Sequence, residues 1–199
     1  MNNQWDLRFS GSEYVYGTDP NAFFAEQLES LPIGNILFPC EGEGRNAVYA
    51  ASKGWNTVAF DGSFQGKVKA EKLANEKKVD IHYVLGNAET IEFPLDSFDC
   101  IALIYAHFPD TTRSMIHQKM VTWLKPGGTL ILEAFNPLQI PYTSGGPKDI
   151  SMLYTKQMMI SDFKELSTII LSEEQTALNE GPLHQGIAQV LRFVGRKRI

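Results

Sequence analysis

The sequence predicts an α/β fold: a doubly wound, mainly parallel sheet with helices on both faces. Three observations carry this. Short apolar runs alternate with helix-like segments between residues 35 and 135. The first apolar run leaves directly into a glycine-containing loop that opens a helix. After Phe135 the alternation stops, and two strand-like stretches flank a turn sequence, which reads as an antiparallel hairpin on the sheet edge.

Residues 1–18 are aromatic-rich without a period. Asp19-Pro20 reads as a helix start, an N-cap carboxylate followed by proline at the first helical position. This helix runs to about Ser30, where Pro32 and Gly34 stop it. Asn35–Pro39 is a buried parallel strand. Gly42–Lys53 is a loop entering a helix closed by Gly54. Thr57–Phe60 is the second strand. Lys67–Lys78 is a helix whose lysines alternate with Glu71 and Glu76, a solvated face. Ile81–Leu85 and the strongly apolar Phe98–Tyr105 are the third and fourth strands. Asp110 caps a helix to Leu124, ended by Lys125-Pro126-Gly127-Gly128, because proline cannot continue a helix and glycine supplies positive φ. Thr129–Phe135 is the fifth strand. Residues 136–150 contain Pro137, Pro141, Gly145 and Gly146 and read as a long, lid-like loop. A helix over Thr155–Leu166 follows, then strands Ser167–Ala177 and Ile187–Val194 around Asn179-Glu180-Gly181-Pro182. The basic Gly195–Arg198 reads as a solvated strand end. The expected organisation is one domain over 1–199: a cover and helix (1–33), a cofactor-binding core (34–135), then lid loop, helix and hairpin (136–199).

Composition bounds the partners. A chain of 199 residues can bury a core without disulfides or metals as staples. With 43% apolar and 21% charged residues it has the globular mix, not the disordered one. Eighteen Lys and Arg against 23 Asp and Glu give a net charge of −5, which argues against general nucleic-acid binding. Two cysteines, Cys40 and Cys100, make neither a disulfide framework nor a zinc cluster, so no metal is expected. Both sit in buried strand settings that disfavour a thiolate. No apolar run reaches the ~18 residues of a membrane span. The opening residues are polar, with Asp6 and Glu13 close in and no basic-then-apolar order, so a cytoplasmic location is expected. Nothing in the sequence speaks to oligomeric state.

The central motif is Glu41-Gly42-Glu43-Gly44-Arg45-Asn46-Ala47, placed between the first strand and its helix. Ligands of doubly wound folds sit at the carboxyl ends of the strands, and glycine lets backbone approach them closely. Asp61 ends the second strand 19 residues after Gly42, where an acid can accept from both hydroxyls of a ribose. Together these point to an adenosine cofactor, a dinucleotide or S-adenosylmethionine. The spacing alone fits the dinucleotide fingerprint too. Charge separates the two. A pyrophosphate would be repelled by Glu41 and Glu43, each by about 1 kcal/mol or more, with Arg45 offsetting part of this. The sulfonium and ammonium of S-adenosylmethionine suit carboxylates. Otherwise both glutamates face solvent around a structural turn.

At this point the chain resembles the class I S-adenosylmethionine-dependent methyltransferases, and within them the small bacterial branch grouped with tellurite-resistance and thiopurine methyltransferases. The residues are Trp5-Asp6-x-Arg8-Phe9, Tyr14–Gly17, Pro20–Phe23, Glu41–Tyr49, Lys125–Gly128, Ser144–Asp149 and Glu180-Gly181-x-x-His184-x-Gly186. They cover nearly the whole chain. The glycine loop and the Lys-Pro-Gly-Gly turn are common to the superfamily; the terminal motifs are narrower. The resemblance implies a Rossmann-like, seven-stranded sheet whose last pair is an antiparallel hairpin. It implies S-adenosylmethionine as cofactor and a small-molecule methyl acceptor, such as a thiol or a metalloid oxyanion.

The cofactor set implied is Arg8, Tyr16, Glu41, Gly42, Glu43, Gly44, Asn46, Asp61, Gly62, Asn87, Ala88 and Tyr105. Arg8 can take the methionine carboxylate as a bidentate pair, under a cover of Trp5, Tyr14 and Tyr16. Asn87 and the Ala88 N–H face adenine, or Asn87 is a turn residue. The family pattern has an acid where Phe38 stands and glycine where Cys40 stands. The ammonium partner is therefore Glu41, Glu43 or backbone carbonyls. His107 and His184 are the candidate bases, against a packed and an exposed-turn role respectively. Glu133 points into the site or pairs with a lysine. Lys148 meets an anionic acceptor or solvent. Met152, Met158, Met159 and Ile160 pack the lid and core. Two alternatives stand beside methyl transfer: an NAD(P)-dependent oxidoreductase, and a non-catalytic S-adenosylmethionine-binding protein.

Overall fold

The computed structural model describes residues 3–199. Seven strands form one sheet: β1 (Asn35–Pro39), β2 (Asn56–Asp61), β3 (His82–Leu85), β4 (Phe98–Ile104), β5 (Leu124–Phe135), β6 (Leu166–Asn179) and β7 (Gln185–Lys197). Their order is β3-β2-β1-β4-β5-β7-β6. The first five are parallel; β7 is antiparallel to both β5 and β6. The helices are α1 (Asn3–Phe9), α2 (Ala22–Glu29), α3 (Arg45–Ser52), α4 (Phe64–Lys77), α5 (Asp110–Trp123) and α6 (Lys156–Asp162).

Period two places the core. Ile36 and Phe38 point to one face with Cys100, Ala102 and Ile131, and meet Phe24 of α2, Ala47 of α3 and Ala70 of α4. Leu37 points the other way with Ile101, Leu103, Leu130 and Leu132, onto Ile116 and Met120 of α5 and Phe163 just after α6. A strand buried on both sides must be apolar where it is buried, and this is why Ile36–Pro39 of β1 and Cys100–Ile104 of β4 read as unbroken apolar runs. A polar tie joins α5 to α6: Arg113 Nε and His117 Nδ1 lie 2.7 and 2.9 Å from Asp162 Oδ2. These partners hold the Asp162 carboxyl down to about 2 against its burial.

Several boundaries differ from expectation. Residues 3–9 form a helix. Asn21, not Asp19, caps α2, its side chain accepting from Phe24 N–H. Pro109, not Asp110, occupies the N-cap of α5. Lys125–Gly128 lie inside β5, which starts at Leu124 and pairs with Phe98 across a bulge. The lid loop holds two short 3-10 turns, Pro137–Gln139 and Ile150–Met152. Ile160 is exposed, whereas Met159 is buried. β7 runs on to Lys197, whose ammonium donates to Asp96 Oδ1 at 2.8 Å.

Candidate functional site

The strand order reverses between β1 and β4, so the crevice of the fold lies outside the carboxyl ends of these strands. Glu41, Asp61, Asn87, Tyr105 and Phe135 stand at or just beyond the carboxyl ends of β1, β2, β3, β4 and β5 respectively. Two clefts, of about 220 and 330 Å3, lie at the opposite, amino-terminal end, around Trp55 and Pro126. Among the described residues no helix is long and apolar enough to cross a membrane.

The glycine loop is built mostly for its own packing. Gly44 has φ +89°, and a Cβ there would lie 2.5 Å from Ala70 Cβ, so this glycine admits α4 rather than a ligand. Gly42 has φ +61° and is covered by the Phe9 ring. Cys40 adopts φ +54°, which is the physical reason for a glycine preference at its position. Burial raises the thiols of Cys40 and Cys100 above their ordinary range.

The two loop glutamates do different things. Glu41 Oε1 accepts from the N–H groups of Asn46 and Ala47, each at 2.8 Å, and so caps α3 from within its own loop. Its other oxygen meets only Asn46 Nδ2, at 3.5 Å. Burial pushes this carboxyl up to about 7, against the pull of those N–H groups. The expected exclusion of pyrophosphate therefore has a more direct cause than repulsion: the amides that would bind phosphate already hold a carboxylate. Glu43 departs from the cofactor-binding expectation. It is buried, pairs with Lys69 Nζ at 2.7 Å, and accepts from Val15 and Tyr16 N–H at 2.9 and 3.4 Å. Both oxygens fasten the N-terminal segment to α4.

Asp61 is nearly buried. Its oxygens accept from Gly42 N–H at 3.1 Å and Ser63 N–H at 2.8 Å. Burial raises its pKa, opposed by these N–H groups. Each oxygen keeps a lone pair for a further donor. Asn87 Oδ1 accepts from Glu89 N–H at 2.8 Å, the turn role, while its amide nitrogen remains available. Tyr83 OH donates to Gly42 O at 2.6 Å and holds the loop from below.

The N-terminal segment is a docked cover. Asp6 Oδ1 accepts from Ser63 Oγ and Gln65 N–H at 2.7 and 3.1 Å. Arg8 lies over the Trp5 ring and donates to Tyr16 OH at 3.0 Å. Tyr16 leads into the other half of the edge, where its ring lies 4.4 Å from His184. His184 also packs on Tyr105, at 4.6 Å, and on Phe135, at 5.4 Å. It is buried, not an exposed turn residue.

Tyr105 takes φ +53° at the end of β4 and donates to Glu133 Oε1 at 2.7 Å. Glu133 pairs with an arginine rather than a lysine: Arg192 Nε lies 2.6 Å from its Oε2. Asn21 joins Glu133 and Glu180, donating from Nδ2 at 2.7 and 3.0 Å, and its N–H donates to Asn46 Oδ1 at 2.9 Å. Arg45 pairs with Glu180 at 2.8 Å.

His107 is corrected as a candidate base. Its Nδ1 lies 2.7 Å from Met152 O, and its Nε2 accepts from Phe135 N–H at 3.2 Å. Both nitrogens are committed to backbone, and burial lowers its pKa to about 4. It fastens the lid loop to β4, as does Tyr154 OH, which accepts from Phe108 N–H and donates to Ala106 O. Lys148 is exposed and donates to Tyr142 O. Asn21, Lys69, Glu180 and Arg192 escaped notice as functional side chains. Asn21 and Glu180 stand inside the motifs quoted above; Lys69 and Arg192 carry no local signal.

Residues 36–128 match the family described as Methyltransferase domain. The matched segment runs from β1 into β5 and contains the glycine loop, Asp61 and the strand ends of the switch point. Among curated relatives, the ubiquinone/menaquinone biosynthesis C-methyltransferase UbiE of Pectobacterium atrosepticum is 41% identical over 71 residues, 35% of this chain and 28% of that protein. UbiE of Francisella tularensis subsp. novicida is 38% identical over 79 residues, 39% of this chain and 32% of that protein. The matches thus span about a third of the relatives' length. Solved structures agree in fold. One concerns the conversion of a disulfide bond into a thioacetal group during echinomycin biosynthesis (TM-score 0.81, 13% identity, 100% of this chain and 92% of that one). TehB of Haemophilus influenzae has a TM-score of 0.73 at 13% identity, over 98% of this chain and 66% of that one. The [4+2]-cyclase SpnF also has 0.73 at 13% identity, over 99% and 94%.

Proposed function

We propose that this protein is an S-adenosylmethionine-dependent methyltransferase acting on a small-molecule acceptor by direct in-line transfer. The observation that carries this reading is the Glu41-filled amino terminus of α3 beside Asp61. This edge offers carboxylates and no free phosphate-binding amides at positions 46 and 47, a donor set that fits a cationic, phosphate-free cofactor.

The residues that would hold the cofactor follow from their unused atoms. Asp61 and the neighbouring Gly62 meet the ribose. Asn87 Nδ2 and the Ala88 N–H meet adenine. Glu41 Oε2 meets the ammonium, now that Glu43 is committed elsewhere, with Asn46 steadying Glu41. Arg8 meets the carboxylate, and Tyr16 and Tyr105 wall the site. When bound, the cofactor supplies a methyl carbon whose bond to sulfur breaks with the electron pair leaving on sulfur.

The chain's own contribution is alignment, exclusion of water by the cover, and proton removal. His184 is the base that remains. Its Nε2 takes the proton from the acceptor's thiol, hydroxyl or amine, and the freed electron pair forms the new bond to carbon. An acceptor that is already an anion needs no base. A sulfur acceptor is supported by one fold neighbour, the structure concerned with disulfide-to-thioacetal conversion.

Calorimetric titration with S-adenosylhomocysteine and with NADH tests the reading. Binding of the first alone is expected; binding of NADH alone would replace it with an oxidoreductase. Methyl-labelled S-adenosylmethionine, offered with thiols, tellurite, selenite and small amines, then reports transfer. A second reading, a binder that transfers no methyl group, draws support from a cyclase sharing the fold. It predicts cofactor binding with no labelled product.

A further inference from the structure

Of the chain's four histidines, His184 alone combines a carboxylate partner with a place at the crevice. His107 is committed to backbone through both nitrogens. His117 has a carboxylate partner in Asp162, but its Nε2 is buried without a hydrogen bond. His82 is exposed on β3. Around His184 the turn is rigidly made. Glu180 N–H donates to His184 O at 2.8 Å, and His184 N–H donates to Gly181 O at 3.2 Å. Leu183 N–H donates to Val15 O at 3.1 Å, which pins the turn under the cover.

Glu180 Oε2 lies 3.4 Å from His184 Nδ1. The same carboxylate receives Arg45 Nη2 on Oε2 at 2.8 Å and Asn21 Nδ2 on Oε1 at 3.0 Å. Arg45 and Asn21 thus fix Glu180 from the glycine-loop side. A carboxylate facing Nδ1 demands a proton there, since two lone pairs would repel. Only a glycine fits against the opposite edge: a Cβ at Gly145 would lie 2.6 Å from His184 Cδ2 and 3.0 Å from Nε2.

We propose that Glu180 is a positioning residue, holding His184 in the tautomer with the proton on Nδ1 and a bare Nε2 that accepts the proton of the methyl acceptor. Its kinetic consequence rests on the methyltransferase reading; its structural content does not. The titratable and charged groups facing His184 are Glu180, Arg45, Glu133, Tyr16, Tyr105 and His107. Burial lowers the His184 pKa, and Glu180 opposes this most strongly. The imidazole is neutral near pH 7 and is a stronger base than burial alone would leave it.

Ring-nitrogen NMR of the full-length protein, titrated with pH, tests this in wild type and Glu180→Gln. The expected wild-type spectrum shows His184 protonated on Nδ1. In Glu180→Gln the tautomers mix and the titration moves to lower pH. A wild-type proton on Nε2, or an unchanged tautomer and titration in Glu180→Gln, would overturn the proposal. With a responsive acceptor, Glu180→Gln lowers kcat about tenfold or more with little change in KM, and its acid limb moves down in pH. Glu180→Asp restores part of both, and also serves should the glutamine variant not fold. The NMR readout decides the matter even if no acceptor is ever methylated.

Discussion

Gly17 and Gly181 meet backbone to backbone, and a Cβ on Gly181 would collide with the Gly17 nitrogen. Both have positive φ, +72° and +82°. Gly181→Ala therefore combines left-handed strain with a backbone clash. We expect a loss of about 2–4 kcal/mol in urea unfolding, with faster proteolysis of residues 10–20. A variant as stable and as resistant as wild type would mean that the cover docks without this contact.

Glu43→Ala strips the charge from a buried pair and leaves Lys69 with Glu13 O as its remaining acceptor. Removing one member of such a pair costs about 3–5 kcal/mol. Hydrogen exchange should also quicken at the Val15 and Tyr16 amides, which Glu43 accepts from. Global destabilisation with unchanged relative protection at these two amides would contradict the clasp.

His107→Ala should lose stability rather than a catalytic step. It unpairs Met152 O and Phe135 N–H, for about 2–4 kcal/mol. The pH sign is fixed by the lowered pKa. With a folded value of about 4 against an ordinary 6.5, neutral His107 contributes stability above 6.5 that is lost as pH falls toward 4. The variant's stability curve should be flatter across that window. The acid limb assigned to His184 should survive.

Glu41 has the opposite sign. Its carboxyl is raised from 4.5 to about 7, so its contribution is full below 4.5 and is lost as pH rises through 7. Glu41→Gln keeps an acceptor for the α3 amides and should remove this slope, with unfolding midpoints equal to wild type at pH 4.5 and higher at pH 8. Glu41→Ala should also lose the cap, about 1–2 kcal/mol relative to Glu41→Gln at either pH. In calorimetry Glu41→Gln should bind S-adenosylhomocysteine more weakly, because its amide does not replace the carboxylate toward an ammonium.

Asp61→Asn is a cleaner probe than Asp61→Ala, since it keeps an acceptor toward Gly42 or Ser63 N–H. Loss of a charged hydrogen bond to ribose is worth about 1.5–3 kcal/mol. Affinity for S-adenosylhomocysteine should fall at least several-fold in a folded variant. Unchanged affinity would remove Asp61 from the ribose.

The sheet was legible because burial on both faces leaves β1 and β4 only one polar position each, Asn35 and Asp99, both at the amino-terminal end of the strand. α1 was not. Its seven residues are held by Asp6 on Ser63 and Phe9 over Gly42, contacts made far along the chain. Asp19 and Asn21 are both competent caps; Asn21 prevails with partners on α3, β5 and the hairpin turn. The strand-end positions of Asp61, Asn87 and Tyr105 followed from alternation alone. The fates of Glu43, His107 and Glu133 did not, because each was settled by a partner at least 26 residues away.

The seam between residues 15–21 and 180–184 also sets an order of events on the ribosome. The cover emerges early and can dock on Glu43 and α4, but it meets the hairpin turn only after roughly 160 more residues are made. At about 5–20 residues per second this is many seconds of waiting. The parallel strands can pair during that interval, so the crevice is roofed last, by the hairpin's arrival.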